Sequence, residues 1–282
     1  MKKRIAIVGH GFVGKAVDYG FSNPSLEKVI VDPNYNVDTT ILQGLDLEAT
    51  FICVPTPMNS DGSINSDIVV ETVNFIKQNA GAFYGPKPII VIKSTVTPDV
   101  IKMLTSGPNG DRVIYNPEFL TEKAANEDFV NPNLHVFGGV PEACKRLYEL
   151  YTKYSTCKPC PVYTMTAEEA SFVKYGINSF LASKVLWMNQ FYDIIEKHGS
   201  NYNAVINAVT ADPRIGTSHT SVPGFDGKRG FGGACFPKDT AAFLNFAEDF
   251  SVLREVINAN NNYRSGYDLD DREKMQNITY KG

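Results

Sequence analysis

The chain has 282 residues, 43% of them hydrophobic and 21% charged, with a formal net charge of −4. That size and apolar content support a sizeable core and about two domains, and the mild acidity offers no basic stripe for nucleic acid. Five cysteines, an odd and sparse count, argue against a disulfide framework and for reduced thiols in a cytoplasm-like compartment.

No apolar run approaches the length that spans a membrane. The run behind Met1-Lys-Lys-Arg4 ends at Val8, too short for the core of a signal peptide. Arg4 to Gly9 reads as a buried strand. Gly9-His-Gly-Phe-Val-Gly14 follows directly and opens a helical pattern from Val13 to Phe21. Glu27 to Asp32 is a second strand that ends in an acid. Strand, G-x-G-x-x-G, helix, strand, acid is the context of a dinucleotide-binding fingerprint. The loop amides and helix N-terminus can hold a pyrophosphate. Asp32 would accept from a ribose 2′-hydroxyl and repel a 2′-phosphate, which favours NAD over NADP. His10 reads as an unconstrained position within the loop.

Ala49 to Val54 is a third strand, halted by Pro55-Thr-Pro57. Cys53 reads as a core residue. Asp67 to Ala80 has helical spacing. Pro88 to Lys93 is a fourth strand, and Ser94, Thr95 and Thr97 sit at its exit, where they either line a site or cap the next helix. Arg112 to Tyr115 is a fifth strand. Asn116 then reads as an N-cap and Pro117 as a first helical residue, which would put Glu118 and Glu122 one turn apart on one face. Such a pair does acid–base work or simply complements the helix dipole. Leu134 to Gly138 is a sixth strand. The strand–helix alternation from residue 4 to about 165 predicts a doubly wound, mostly parallel α/β sheet of Rossmann type. Cys157-Lys-Pro-Cys160 follows a helix, with no second cysteine pair to complete a zinc site.

From Thr166 the pattern changes. Thr166 and Glu169 form an N-cap with its N3 acid, and proline-free helical spacing continues to about His198. A helix of that length spans domains or pairs with a copy of itself. Lys174 and Asn178 lie one turn apart on it, able to hold an oxyanion or to form an ordinary solvated face. A shorter helix, Tyr202 to Val209, leads to Asp212-Pro-Arg-Ile-Gly216. Gly230-Phe-Gly-Gly-Ala-Cys-Phe-Pro-Lys-Asp-Thr240 then presents one thiol behind a glycine run. The glycines allow positive φ and close approach of a ligand. If Pro237 starts a helix, Cys235 and Asp239 are one turn apart, and Lys238 stands beside them. Residues 240–250 and 252–261 read as helices, and 263–282 as a polar, disordered tail. The domain reading is 1–165, 166–262 and that tail.

Seven segments, in order, resemble the UDP-glucose 6-dehydrogenases and their GDP-mannose dehydrogenase relatives, NAD-linked four-electron oxidases of nucleotide sugars. They are Val8 to Gly14, Val54 to Pro57, Lys93 to Val96, Asn116 to Leu120, Glu169 through Lys174 to Asn178, Arg214 to Gly216, and Gly232 to Asp239. The resemblance implies that Cys235 is the nucleophile and passes through a thiohemiacetal and a thioester. It implies that Lys174 and Asn178 stabilise oxyanions, that Asp239 moves protons, that Thr95 and Glu122 steer base chemistry, and that Glu118 assists thioester hydrolysis. By the same likeness Gly9, Gly11, Phe12, Val13, Gly14, Asp32, Thr56, Thr95, Glu122 and Lys238 would line the NAD site. Glu118, Phe119, Leu120, Lys174, Asn178, Arg214 and Gly232 would meet the nucleotide sugar, Arg214 from a neighbouring subunit. A homodimer through the helix of residues 166–198 is expected, and no metal. Family members continue into a third domain that binds much of the UDP group; this sequence ends near the central helices, which predicts a truncated form, a raised KM or dependence on another chain. UDP-glucose ranks first as substrate and GDP-mannose second. A two-electron β-hydroxyacid dehydrogenase has no need of Cys235, and a non-catalytic NAD-binding partner has no need of Lys174, Asn178 or Cys235.

Overall fold

The computed structural model describes residues 2–80 and 87–280. By the packing of its backbone the chain divides into two units. The first comprises Met1–Thr56 and Asn65–Lys174, the second Pro57–Ile64 and Tyr175–Gly282. This differs from the boundary read at residue 165, because the opening turns of the long helix pack on the sheet through Ala167 and Ala170.

The first unit holds a seven-stranded sheet in the order β2-β1-β3-β4-β5-β6-β7. Its strands are β1 (Lys3–Val8), β2 (Leu26–Val31), β3 (Ala49–Ile52), β4 (Ile89–Ile92), β5 (Val113–Tyr115), β6 (His135–Gly138) and β7 (Val162–Met165). All pairings are parallel except β5 with β6. Helices α1 (Phe12–Gly20), α2 (Asp67–Asn79), α3 (Pro98–Thr105), α4 (Ala125–Val130) and α5 (Pro141–Tyr154) cover it. Side chains alternate across a strand, and each strand is apolar on both faces. Ala6, Val8, Ile52, Ile90 and Ile92 meet α2 and α3 through Val73, Ile76 and Ile101. Ile5, Ile7, Phe51, Ile89 and Val91 meet α1 and α5 through Val17, Leu147 and Tyr151. Burying each such side chain is worth ~1.5–3 kcal/mol, so this double cover dominates the unit's stability.

Strand register is what assembles the site. Val8 stands opposite both Val31 and Ile52, Ile52 opposite Ile92, and Ile92 opposite Tyr115. Gly9, Asp32, Cys53, Lys93 and Asn116 therefore leave the sheet side by side at its C-terminal edge, where ligands bind in open α/β sheets.

The second unit is helical. The long helix α6 (Ala167–Lys197) begins at the expected capping box: the Thr166 backbone N donates to Glu169 Oε2 at 2.8 Å, and the Glu169 N to Thr166 Oγ1 at 3.2 Å. Helices α7 (Tyr202–Thr210), α8 (Phe236–Phe246), α9 (Ser251–Arg264) and α10 (Asp271–Met275) follow. Tyr175 stacks on Phe243 with ring centroids 5.1 Å apart, beside Leu253, and Met188 and Ile195 of α6 pack on Tyr202 and Ile206 of α7. Among the described residues no helix is long and apolar enough to cross a membrane.

Three expectations need correcting. The helix expected from Pro117 does not form: residues 116–121 are loop, and α4 begins only at Ala125. Asn116 is not a cap. Its Nδ2 donates to the Val136 carbonyl at 3.0 Å, and its Oδ1 accepts from Lys93 Nζ at 3.2 Å and Tyr151 Oη at 2.9 Å. The tail read as disordered is ordered through Tyr280, with Glu273 and Ile278 buried; residues 281 and 282 lie outside the described residues. The seventh strand, β7, was not anticipated.

Candidate active site

In the first unit, α1 starts at Phe12, directly after the glycine loop. A Cβ on Gly14 would stand 1.9 Å from the Gly9 carbonyl oxygen, so strand and helix can approach only with glycine there. A Cβ on Gly11 would meet nothing within 4 Å, so the loop is open where the first amides of α1, those of Phe12 and Val13 among them, can face a pyrophosphate. Asp32 is buried at the end of β2. Its Oδ2 accepts from the His10 amide at 2.6 Å and its Oδ1 from the Asn34 amide at 2.8 Å. Burial opposes the charge, but those amides outweigh it and hold the Asp32 carboxyl below its usual range. A fixed carboxylate beside an open glycine loop fits NAD on the ribose side. His10 is not the idle position expected: its ring nitrogens lie 2.9 Å from Tyr35 Oη and 3.3 Å from Asp18 Oδ2.

At the next exits, Ser94 Oγ donates to the Val54 carbonyl at 2.7 Å and so ties the loops that carry Thr56 and Thr95, both buried. Cys53 is a core thiol pushed up to about 12, chiefly by burial. Lys93 is buried as well; desolvation lowers it to about 8 despite the counter-pull of Cys53 and Glu118. Lys174 of α6 reaches the loop after β5. Its Nζ donates to the Glu118 carbonyl at 2.7 Å and to Glu118 Oε1 at 3.4 Å, and lies 5.5 Å from the centre of the Phe119 ring. Glu118 Oε2 accepts from the Leu120 amide at 2.7 Å. Glu118 and Lys174 are both buried, while Glu122 is half-buried in the turn that follows. The two glutamates thus do not share a helix face, since no helix carries them.

In the second unit a helix does open here, at Phe236, with Pro237 as its second residue. Cys235 is the N-cap of α8, and the Asp239 amide donates to its carbonyl at 2.8 Å. The thiol is half-buried, at a position where the amides' partial positive charge favours an anion. Asp239, at 1% exposure, is the centre of a buried cluster. Its Oδ2 accepts from Asn178 Nδ2 and its Oδ1 from Lys238 Nζ, each at 2.6 Å. Lys238, expected at the cofactor, is the counter-ion of Asp239. Arg214 is exposed and forms an ion pair with Asp212 at 2.6 Å.

Gly230 and Gly233 take positive φ (74° and 79°). At Gly232 a Cβ would fall 1.9 Å from Arg264 Nη2. Arg264 and Glu273 around this loop were missed; the Asp270-x-x-Glu273 capping pattern was the signal that could have found them. Cys157 Sγ lies 3.1 Å from the Phe129 carbonyl oxygen, and burial raises both Cys157 and Cys160.

Strand-exit loops of this kind define a dinucleotide-binding protein, and comparison with known proteins narrows the class. Residues 25–155 match the model of the UDP-glucose/GDP-mannose dehydrogenase family, NAD binding domain, and residues 168–263 that of the same family's central domain. UDP-glucose 6-dehydrogenase YwqF of Bacillus subtilis is 32% identical over 259 residues, 86% of this chain and 56% of that protein. UDP-glucose 6-dehydrogenase of Rickettsia felis is 35% identical over 224 residues, 76% of this chain and 47% of that protein. The solved UDP-glucose dehydrogenase of Pyrobaculum islandicum superposes with a TM-score of 0.73 at 26% identity, over 92% of this chain and 68% of that one. The chain belongs to the UDP-glucose/GDP-mannose dehydrogenase family. Its cofactor is NAD. It spans about half the length of the curated relatives it matches.

Proposed function

We propose that this chain carries the NAD-dependent four-electron oxidation of a nucleotide sugar's C6 alcohol to the carboxylate, with UDP-glucose the first substrate to test and Cys235 the nucleophile. The observation that carries the reading is the position of Cys235: the N-cap of α8, one turn before an Asp239 held by Asn178 and Lys238. Gly9 to Gly14 and Asp32 would hold NAD, which would supply a two-electron acceptor for each of the two oxidations. The chain's own residues do the rest. Cys235 adds its sulfur to the C6 aldehyde carbon while the thiol proton passes to the oxygen, giving a thiohemiacetal. Its oxidation leaves a thioester, and water breaks the carbon–sulfur bond to release the acid and restore the thiol. Lys174 and Asn178, one turn apart on a rigid helix and buried, suit the stabilisation of charge on the C6 oxygen. Glu118, whose carboxylate is fixed by Leu120 and Lys174, suits the orientation of the hydrolytic water, with Thr95 and Glu122 near the same exits. Asp239 suits proton exchange with water.

The names of the relatives and the Pro237-Lys238 pair after the cysteine support UDP-glucose over GDP-mannose. A two-electron reading leaves the thiol at the helix cap without a task. Purified chain with NAD and a panel of nucleotide sugars tests the proposal: two NADH form per sugar consumed, and Cys235→Ser stops at the aldehyde stage. One NADH per sugar, with full activity in the serine variant, contradicts it. A second copy of the chain is the partner we propose, paired along α6, where Phe180 (71% exposed), Trp187 (54%) and Ile194 (57%) recur every seven residues on one stripe. Sedimentation of Trp187→Glu against the unaltered chain decides it: dissociation supports the dimer, and a monomeric unaltered chain refutes it.

A further inference from the structure

The glycine loop ahead of Cys235 is held from one side by residues of α9 and α10. Glu273 is fully buried and gathers three donors on Oε1: the Gly233 amide at 3.0 Å, Arg264 Nη2 at 2.9 Å and Tyr280 Oη at 2.7 Å. Its Oε2 accepts from the Asp270 amide at 2.9 Å, and the Glu273 amide donates to Asp270 Oδ1 at 2.8 Å, closing a capping box. Arg264, at 1% exposure, also donates to Asp226 Oδ2 at 2.7 Å, in the loop that leads to the glycines. The Gln276 carbonyl accepts from the Met58 amide at 3.0 Å, just past Pro57.

A helix of five residues has little stability of its own, and burying a carboxylate is costly unless it is paired and hydrogen-bonded. A segment that buries a fully bonded glutamate against a backbone amide two residues before Cys235 is a joint with that loop. The loop's other end is fixed by α8. Earlier in the loop the Gly230 amide donates to Asn189 Oδ1 at 3.0 Å and the Phe231 amide to Asn260 Oδ1 at 2.7 Å; Gly233 is the pinned residue nearest Cys235, and Gly232 has no side chain because the Arg264 guanidinium occupies that space.

We propose that residues 264–280 brace the cysteine loop, with Glu273 as the positioning residue that sets Cys235 at the cap of α8. The proposal rests on the reading of Cys235 as the nucleophile. Glu273 touches neither substrate nor cofactor in this account; it acts through the Gly233 amide. Loosening the joint should weaken the thiol-dependent half of the reaction and spare the first oxidation, which does not use the thiol.

The test uses the full chain as Glu273→Gln and as Tyr280→Phe, the second removing one donor and keeping the carboxylate. The first readout needs no substrate: alkylation of Cys235 by iodoacetamide, followed by peptide mass spectrometry with Cys157 as the internal reference. The second compares NADH formation from UDP-glucose with that from the C6 aldehyde. Cys235 alkylation should change at least about tenfold in Glu273→Gln, within the ~100-fold that a 1 Å misplacement of a reacting group can cost, and by less in Tyr280→Phe, with Cys157 unchanged. Aldehyde oxidation should slow more than alcohol oxidation, so that aldehyde is released. Unchanged Cys235 alkylation in both variants overturns the brace, as does a parallel change at Cys157, the sign of general loosening. Should Glu273→Gln fail to fold, Tyr280→Phe carries the same comparison. If the unaltered chain oxidises no nucleotide sugar, the proposed function fails, and the alkylation result still decides whether Glu273 positions the thiol.

Discussion

Asn178 and Asp239 meet at 2.6 Å, amide Nδ2 to carboxylate Oδ2, both buried, with Lys238 on the other oxygen. The relationship joins α6 to α8 through side chains and fixes the turn that follows Cys235. The carboxylate is the hub, because it alone accepts from both partners.

Asp239→Asn leaves the Lys238 ammonium buried without its counter-ion. Removing one partner of a buried pair costs about 3–5 kcal/mol. Denaturant unfolding should show a loss of that order, and Asn178→Ala a smaller one, since the ion pair survives it. Equal losses would mean that the hub is not the carboxylate.

Gly232→Ala and Gly11→Ala should fail in opposite ways. At Gly232 a Cβ meets Arg264 Nη2 at 1.9 Å and Glu273 Oε1 at 2.8 Å. Arg264 is buried and held by two acids, so it cannot swing aside. The substitution should destabilise by about 1–3 kcal/mol, the usual cost of overpacking, and lower Tm. At Gly11 the Cβ meets no neighbour, and it would intrude where the proposed binding of NAD puts the pyrophosphate. Tm should hold while NAD affinity, by calorimetry, falls at least about tenfold, ~1.4 kcal/mol.

His135 stacks on Phe137 and lies tilted against Tyr151, ring centroids 5.5 and 4.6 Å away, and desolvation lowers its pKa from 6.5 to about 4. The unfolded chain therefore takes a proton there in a window where the folded chain does not. Stability falls as pH drops from about 6.5 towards 4, because the unfolded state binds more protons. Thermal melts between pH 7 and pH 5 should show the loss, about 1–2 kcal/mol after allowing for partial exposure, and His135→Phe should flatten the slope.

Lys93 is a second cation whose burial weakens the fold, in a higher pH window. Burial lowers it from 10.5 to about 8, so at neutral pH the folded state carries a charge it disfavours. Lys93→Met should raise stability at pH 7 by about 1–3 kcal/mol, because Asn116 Oδ1 keeps its Tyr151 donor. The gain should shrink as pH rises from about 8 to 10.5, as the folded-state lysine loses its proton while the unfolded-state lysine still holds one. Melts of the two proteins across that range check it.

The sheet and its binding edge were legible because local pattern and tertiary role agree: apolar runs ended by glycine, acid or proline are what a doubly buried strand and its exit require. The long helix was legible from its capping box and uninterrupted spacing. Asn116-Pro117 misled because an N-cap signature is short-range, and the asparagine side chain is engaged by Lys93, Tyr151 and Val136 from distant positions. The β7 strand has no apolar run: its middle residues Tyr163 and Thr164 are exposed, and only backbone pairing with β6 defines it. Residues 264–280 read as frayed because charge suggests solvent, whereas Arg264 and Glu273 are buried by pairing with each other. In the site, a helix opening near Pro237 and the spacing of Cys235 to Asp239 were readable; that Cys235 is itself the cap was not. The pairing of Lys238 with Asp239 and the packing of Arg264 on Gly232 depend on the fold.

The most direct measurement is mass spectrometry of the Cys235 peptide after acid quenching of the chain during turnover with NAD and UDP-glucose. The account predicts an adduct on that peptide with the mass of the sugar-nucleotide acyl group, absent without NAD and absent in Cys235→Ser. Turnover to the carboxylate with the Cys235 peptide unmodified at every quench time, and undiminished in Cys235→Ser, would contradict it.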